Sequence, residues 1–490
     1  MPIVAGVDVS TQSSTVELRD ADTGALLGSG RAAHPRTFPP ISEQDPLTWW
    51  AAVKEALAAG IAQAGVASAD IRALSVGAQC HGLVMLDDVG RPLRPAKLWN
   101  DTTSAPQAER MVAELGAEGW VHAVGSVPPS AFTITKLAWI AEHEPHRLDA
   151  VRRILLPHDY ITWRMTGRAA TDRSDASGTG YYAAHEGRWR IDLLERFVRE
   201  DLDWAPLLPT VVGPDEPAGE VLPAVAEELG LLPGVVVAAG GGDQHVGAVG
   251  LGMRTGDVTF SIGTSGVVLA SSEQPVLDPT GIIDGVANAT GGYLPLACTL
   301  NATKVTDWAA AMLGVDVGEL GAMALAADQP DRPVFATFLD GERTPNRPDA
   351  VGVIAGLTTK TSREDVARAA FEGVLLGMCG GLERLRDVGA ETDGALIATG
   401  GGARSTAYLQ LLADLLGREV AVRDAPEATA RGAALQAIAV LGGTSVQTVS
   451  DALRPATTSS VTPRRRVEGG LQERYRATAG WTGADRGREA

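Results

Sequence analysis

Cysteine is scarce in this chain, which has only Cys80, Cys298 and Cys379 among 490 residues. They lie far apart, without a CxxC or Cys/His spacing, and this excludes a zinc site or disulfide framework of the usual kind. Long apolar runs are also missing, and Asp8 interrupts the one at the N-terminus before it could act as a signal peptide. We therefore expect a soluble protein of the reducing cytoplasm that does not insert into a membrane.

Positive charge is also in short supply. The 42 Lys and Arg residues against 60 Asp and Glu give a net charge of −18. Such a chain repels a phosphate backbone, so nucleic acid is a poor candidate partner. Two common nucleotide motifs are absent as well, because no Walker A loop and no GxGxxG in a first βαβ unit occur. A P-loop enzyme and a dinucleotide oxidoreductase are both disfavoured.

Two hairpin patterns begin the two halves of the chain. Residues 3–9 read as a buried strand that leads through a Ser/Thr-rich turn at 10–15 into a second strand. Residues 258–261 and 267–270 repeat this layout around the turn 262–266, about 250 residues later. The repetition predicts an α/β protein of two duplicated domains that face each other across a cleft.

The domain boundary is expected where an apolar run ends in glycines. Val235 to Ala239 followed by Gly240 to Gly242 is typical of the last strand of a domain. The prediction is a first domain at 1–248 and a second at 249–450, since two domains suit this length. Residues 451–490 lose periodicity and are expected to form a peripheral, partly disordered extension.

Two carboxylates stand where they are costly unless they have a partner or a task. Asp8 interrupts a buried strand, so it either lies near Mg²⁺ or accepts hydrogen bonds from turn amides. Asp243 follows three glycines at a strand end, where it serves as a general base in a cleft or caps a turn or helix. The turns 10–15 and 263–266 expose amides and hydroxyls that suit phosphate oxygens. Together these features suit phosphoryl transfer.

A further glycine-rich corner follows the strand at 395–398. Gly400, Gly401 and Gly402 lead into an amphipathic helix that carries Tyr408. Strand, glycine loop and helix together favour a nucleotide-binding corner.

Read in order, these features resemble the FGGY family of carbohydrate kinases, and the resemblance runs from Gly6 to about Gly442. The resembling segments are residues 7–15, 79–82, 98–101, 136–139, 156–160, 174–179, 240–243, 262–266, 341–345, 352–357 with 371–373, and 400–405. Residues 42–46 with Trp49 and Trp50, together with 80–81, 99–101 and 174–179, are similar to the xylulokinase branch.

The resemblance implies two actin-like (ribonuclease H-like) domains with the active site in the interdomain cleft. It implies ATP with Mg²⁺ as cofactors, D-xylulose as acceptor and D-xylulose 5-phosphate as product, and it is compatible with a homodimer formed through the second domain. By the same resemblance Asp243 is the catalytic base, and Asp8 is the metal-proximal, activity-critical carboxylate. The implied sugar-binding residues are Cys80, His81, Asn100, Asp101, Asp175 and Gln244, and the implied nucleotide-binding residues are Thr11, Thr264, Gly401, Gly402, Ala403 and Trp308. Core packing is the alternative role for Trp308.

Departures from the family pattern leave the acceptor open. Cys80 stands where methionine is frequent, and Gln244 stands where asparagine usually follows the catalytic aspartate. Ribulose, gluconate, glycerol and a pentitol are the alternative acceptors, and a neutral one is favoured because no basic cluster adjoins the proposed sugar residues in sequence. A different class, a non-catalytic actin-like nucleotide switch, uses the same cleft without phosphorylating sugar.

Overall fold

The protein is described from a computed structural model, which covers residues 2–465 and 470–481. All three cysteines are free thiols. In the part of the chain that is described, no single helix is long and apolar enough to cross a membrane. The helices at 303–313 and 317–326 pass that test only as a pair, and the pair is bent by 89°.

The chain forms 23 strands and 16 α-helices within the described residues. The strands are β1 Ile3–Val9, β2 Ser13–Asp20, β3 Leu26–Ala33, β4 Glu43–Gln44, β5 Ile71–Ala78, β6 Val84–Leu86, β7 Ala96–Lys97, β8 Arg153–Leu155, β9 Ala170–Asp172, β10 Tyr182–Ala183, β11 Arg188–Trp189, β12 Thr210–Val212, β13 Pro217–Glu220, β14 Val236–Ala238, β15 Gly241–Gly242, β16 Val258–Ile262, β17 Gly266–Ala270, β18 Leu296–Thr299, β19 Val334–Ala336, β20 Val353–Ala355, β21 Leu396–Thr399, β22 Val420–Arg423 and β23 Thr457–Val461. The α-helices are α1 Pro46–Ala64, α2 Ala105–Val124, α3 Thr133–His143, α4 Pro145–Ala150, α5 Pro157–Thr166, α6 Arg173–Ala176, α7 Ile191–Phe197, α8 Pro223–Leu229, α9 Asp243–Gly250, α10 Thr303–Leu313, α11 Val317–Ala326, α12 Arg363–Asp387, α13 Thr406–Leu416, α14 Ala428–Gly442, α15 Val446–Ala452 and α16 Leu471–Gly480. Short 3₁₀ turns span Ser68–Asp70, Ala205–Leu207 and Gly401–Arg404.

Two sheets with the same topology organise the fold. The first has the order β13-β14-β5-β1-β2-β3, and the second has the order β18-β17-β16-β21-β22-β23. In each sheet an antiparallel three-strand meander (β1–β3 or β16–β18) is followed by two parallel strands and one antiparallel edge strand. The duplicated two-domain α/β architecture predicted from the paired hairpins is therefore confirmed.

Local sequence accounts for the first helix of the first domain. The Asp45 side chain accepts a hydrogen bond from the Leu47 N–H, Pro46 occupies the first turn, and Gly65 ends the helix in a left-handed conformation. Trp49 and Leu57 are buried on the face of α1 that covers the sheet. Asp45 with Pro46, followed by apolar residues at spacings near 3.6 from Trp49 to Leu57, is the sequence pattern that predicts this helix.

The polypeptide returns to the first sheet after forming the second. Helix α14, within the segment assigned to the second domain, packs against β1, β5 and α9. The backbones meet closely, because a Cβ added at Gly6 would lie 1.9 Å from the Ala430 carbonyl oxygen. Helices α9 and α14 thus lie side by side at the domain junction, and the first residue of α9 faces the cleft.

The described part of the C-terminal extension packs onto the second domain. Strand β23 pairs with β22 as an edge strand, and α16 buries Leu471 and Tyr475 against Val334 and Leu376. Residues 466–469 and 482–490, which also belong to the extension, lie outside the described residues.

Candidate active site

A cavity of about 280 Å³ opens between the two domains. The described residues that line it on the first-domain side are Ser10, Thr11, Cys80, His81, Trp99, Ala131, Phe132, Asp243, Gln244 and His245. Those on the second-domain side are Ser265, Val267, Asp284, Val286, Leu296, Cys298, Thr299, Leu300 and Arg343. Residues far apart in sequence therefore meet in one cavity at the cleft.

Asp243 is the first residue of α9, directly after the short strand β15. Its Oδ1 accepts hydrogen bonds from the Gln244 N–H at 2.8 Å and from the Cys80 Sγ at 3.4 Å. Burial raises the pKa of its carboxyl, and the Cys80 hydrogen bond partly offsets that rise. A Cβ at Gly242 would lie 2.5 Å from the Cys80 Sγ, so the glycine permits this close approach. The geometry combines a helix N-terminal position with exposure to the cavity.

Asp8 lies at the end of β1, with 8% of its surface exposed. Ser10 Oγ donates a hydrogen bond to Asp8 Oδ2 at 2.8 Å, whereas Oδ1 has no hydrogen-bond partner within the described structure. Burial raises the pKa of Asp8 to about 7, with the Ser10 hydrogen bond opposing this rise and the Asp243 charge adding to it. A buried carboxylate oxygen without a partner is costly, and a cation could satisfy it.

His81 is held in an uncommon backbone conformation, with φ of 66°. Its N–H donates to Asp175 Oδ1 at 3.4 Å, and its carbonyl accepts a hydrogen bond from Thr133 Oγ1 at 3.1 Å. Its ring lies 4.9 Å from the Phe132 ring between centroids. Burial lowers the pKa of the imidazole well below its ordinary value, so the ring presented to the cavity is neutral.

Asp175 lies behind His81 and does not line the cavity. It belongs to a fully buried polar group in which His158 Nε2 lies 3.4 Å from Asp172 Oδ1 and 3.7 Å from Asp175 Oδ2. Burial raises the pKa of Asp175 well above its ordinary value and lowers that of His158 to about 3. Asp175 Oδ1 therefore accepts the His81 N–H from behind the cavity lining, and a role in sugar binding stays a prediction.

The segment at residues 99–101 contributes Trp99 to the cavity, whereas Asn100 and Asp101 lie outside its lining. Asp101 is fully buried, and it accepts a hydrogen bond from the Ser42 N–H at 2.9 Å and pairs with Lys97 Nζ at 3.3 Å. Its oxygens are thus engaged in holding the turn. Trp99 is 46% exposed and donates through Nε1 to Thr11 Oγ1 at 2.9 Å.

Thr11 and Gln244 both line the cavity, as the sequence led us to expect for a phosphate turn and a sugar contact. Thr11 Oγ1 donates to Gln79 Oε1 at 3.1 Å while it accepts the Trp99 hydrogen bond. The Gln244 side chain is exposed toward the cleft. The turn at residues 10–15 is therefore joined to Trp99 on the wall of the cavity.

A second cavity, of about 680 Å³, lies in the second domain beside the glycine-rich corner. Gly401 and Gly402 line it, together with Thr306, Phe371 and Tyr408. Its other described lining residues are Thr303, Asp307, Val317, Gly318, Gly321, Ala322, Leu325, Arg404, Ser405, Thr406 and Ala407. The size and the largely uncharged lining suit an adenosine group.

Three other predicted nucleotide residues lie near this cavity without lining it. Ala403 is buried behind the corner. Thr264 is exposed in the turn between β16 and β17, and its carbonyl accepts a hydrogen bond from the Ala302 N–H at 3.1 Å. Trp308 is 39% exposed and packs on Phe335, with 5.7 Å between ring centroids. Trp308 is thus partly exposed and is not a core residue, and its role in nucleotide binding stays a prediction.

Several residues that line the cavity were not predicted from the sequence. Arg343 and Asp284 form an ion pair at 2.6 Å on the second-domain wall, and Phe132 and His245 line the first-domain wall. Arg343 lies within the resembling segment 341–345, and this position was the only signal for it. The pairing with Asp284 depends on tertiary structure.

Comparison with known proteins was informative for both halves of the chain. The model for the FGGY family of carbohydrate kinases, N-terminal domain, matches residues 3–250, and the C-terminal domain model of that family matches residues 258–441. A xylulose kinase of Streptomyces coelicolor is 45% identical over 444 residues, covering 90% of this chain and 89% of the relative.

Solved structures agree with this. The crystal structure of xylulose kinase from Bifidobacterium adolescentis superposes with a TM-score of 0.88 at 39% identity, covering 97% of this chain and 99% of that chain. A gluconate kinase from Lactobacillus acidophilus reaches a TM-score of 0.87 at 21% identity, with coverage of 98% and 96%. This second likeness concerns the fold alone, so the fold does not select the acceptor.

Proposed function

This chain belongs to the FGGY family of carbohydrate kinases, and we propose that it transfers the γ-phosphoryl group of ATP to D-xylulose, giving D-xylulose 5-phosphate and ADP. The observation that carries the proposal is the position of Asp243. Its carboxylate faces an interdomain cavity of about 280 Å³, next to Cys80 and the neutral His81 ring. The similarity to xylulose kinases supports the choice of acceptor.

Asp243 serves as the general base in this proposal. A carboxylate within reach of the acceptor hydroxyl accepts its proton as the oxygen attacks phosphorus. Burial raises the pKa of Asp243, which makes it a stronger base than a solvated aspartate. Its place at the start of α9 stabilises the anion, because a helix N-terminus favours negative charge.

The two walls of the cleft divide the remaining tasks. His81, Cys80 and Gln244 on the first domain surround the acceptor, whereas the turns at residues 10–15 and 263–266 offer hydroxyls and amides to the phosphates. The cavity beside Gly401 and Gly402 takes the adenosine group. Positioning both substrates between closing walls excludes water and supplies much of the rate enhancement.

Mg²⁺ fits the residues present. Asp8 Oδ1 is buried without a hydrogen-bond partner in the described structure, and Asp8 would hold the ion directly or through water. No cluster of three or more His, Cys, Asp or Glu suited to a metal occurs among the described residues. This agrees with an ion that is bound mainly by substrate phosphates and one or two carboxylates. When bound there, Mg²⁺ would neutralise part of the phosphate charge.

Replacing Asp243 tests the proposed base. We expect Asp243→Asn to lower kcat for D-xylulose by about 10²- to 10⁴-fold, the usual contribution of general base catalysis, with only a small change in ATP affinity. Sugar-dependent ADP release measures kcat, and calorimetry measures ATP binding.

Asp340→Asn is the matched control, because Asp340 is 79% exposed and lies outside the cavity lining. Full turnover by Asp243→Asn would remove Asp243 as the base.

The wild-type protein is assayed with ribulose, gluconate, glycerol and a pentitol as well. A higher kcat/KM for one of these acceptors would replace D-xylulose in the proposal. Absence of ADP release with D-xylulose and with every other acceptor would refute the proposed phosphoryl transfer to a sugar.

A further inference from the structure

The second-domain wall of the acceptor cavity carries one fixed cation. Among the described residues that line the cavity, Arg343 is the only Lys or Arg. The two histidines of the lining, His81 and His245, are neutral because burial lowers their pKa values, that of His245 to about 4. Arg343 is therefore the one cationic side chain among these lining residues that could pair with an anionic acceptor.

Arg343 forms an ion pair with a single carboxylate among the described residues. Arg343 Nη2 lies 2.6 Å from Asp284 Oδ2, and no other described carboxylate lies within ion-pair distance of that guanidinium. The Asp284 side chain is 10% exposed, and Asp284 itself lines the cavity. The pair therefore presents almost no net charge to an acceptor.

Backbone contacts hold both partners in place. Asp284 exchanges two backbone hydrogen bonds with Leu296, at 2.9 and 3.1 Å. On the other side, Glu342 Oε1 accepts hydrogen bonds from the Leu300 N–H at 2.6 Å and from the Arg343 N–H at 2.7 Å. Because Glu342 is engaged with the backbone, Asp284 is the carboxylate that pairs with the Arg343 side chain.

We propose that Asp284 is a specificity-determining residue, which neutralises Arg343 and thereby keeps the cavity selective for neutral sugars against aldonates. This inference rests on the proposed function and deepens it. An aldonate has a carboxylate that could pair with Arg343, as arginine commonly does. In the native chain Asp284 already fills that place, and its own charge repels a second carboxylate at close range.

Removal of the Asp284 charge tests this assignment. The assay is competitive inhibition of D-xylulose phosphorylation by D-gluconate, which reports gluconate binding whether or not gluconate is phosphorylated. We expect Asp284→Asn to lower the inhibition constant of D-gluconate, relative to KM for D-xylulose, by about tenfold or more. The double variant Asp284→Asn with Arg343→Gln should lose this gain, because the cation is gone.

Asp340→Asn is the control, since Asp340 pairs with Lys304 in the second domain outside the cavity lining. Asp284→Ser also removes the charge and provides a second variant if Asp284→Asn unfolds, with the thermal midpoint measured for each. If the ratio of the D-gluconate inhibition constant to KM for D-xylulose is unchanged in a folded variant, the proposal is overturned. An equal gain in D-gluconate binding by the single and double variants would overturn it too, since Arg343 would then not be the group that binds the gluconate carboxylate. Absence of sugar-dependent turnover in the wild type would instead count against the proposed function.

Discussion

Gly432 lies where α9 and α14 approach each other closely, and its replacement by alanine should affect both stability and catalysis. A Cβ at Gly432 would lie 1.9 Å from the Val246 carbonyl oxygen and 2.8 Å from the Gly250 nitrogen. Both neighbours are backbone atoms of α9, so no side chain can rotate away. The helix itself has to move.

The size of the movement follows from the contact distance. Ordinary van der Waals contact begins at 3.4 Å, so α9 has to shift by about 1.5 Å relative to α14. Overpacking of this kind costs about 1–3 kcal/mol or more in the free energy of unfolding. Asp243 is the first residue of α9, and a displacement of about 1 Å at a catalytic group can lower the rate about 100-fold.

Thermal unfolding and sugar-dependent ADP release together measure these effects. Gly380→Ala is the matched control, because Gly380 lies within α12 and an added Cβ there would meet nothing within 4 Å. The control should be neutral or more stable by up to about 1 kcal/mol, since alanine favours a helix. Equal stability and activity of the two variants would refute the reasoning about the α9–α14 contact.

Two further predictions concern the acceptor site. Gly178→Ala places a Cβ 2.3 Å from the His81 Cε1, so it should displace that ring and raise KM for D-xylulose by about tenfold, the effect of losing about 1.4 kcal/mol of binding; steady-state kinetics measure this, and an unchanged KM would contradict the contact. The pH profile of kcat/KM should fall on the acid side above the ordinary aspartate range. Burial raises the pKa of Asp243, and a base works only when deprotonated, so activity is lost as pH falls through that raised pKa. A plateau that persists down to pH about 4, the ordinary aspartate pKa, would contradict this assignment.

Much of the fold could be predicted from local signals. The strand at residues 3–9 and the turn that follows it match a similar hairpin at 258–270, and both became the central meanders of the two sheets. Asp45 and Pro46 predicted the start of α1. These features depend on neighbours in sequence, which is why periodicity and capping residues were sufficient for them.

The candidate site could be predicted only in part. Asp243, Cys80, His81, Thr11 and Gln244 lie together in the interdomain cavity. Asp243 could be predicted from its place after three glycines at a strand end, whereas Cys80, His81, Thr11 and Gln244 were implied by the resemblance to the family. Their roles in catalysis stay predictions, because proximity alone does not test them.

Side chains whose task depends on a distant partner could not be assigned in this way. Asp101 reads as a free carboxylate in sequence, yet Lys97 and the Ser42 amide engage it in a buried turn. Trp308 contacts Phe335 and is not among the residues that line the cavity beside Gly401 and Gly402. Ser42 and Phe335 lie far along the chain from the residues they contact, so only the packed structure could show these contacts.

By itself, then, the sequence determined the duplicated α/β architecture, because local pattern encodes the paired hairpins, and its resemblance to a known family implied most of the polar residues of one cavity wall. Only the tertiary structure decided that α14 returns to the first sheet and that Asp284 meets Arg343 across from Asp243. The cavity brings together residues as far apart in the chain as Ser10 and Arg343. Such pairings are set by packing and charge in three dimensions, and no short stretch of sequence records them.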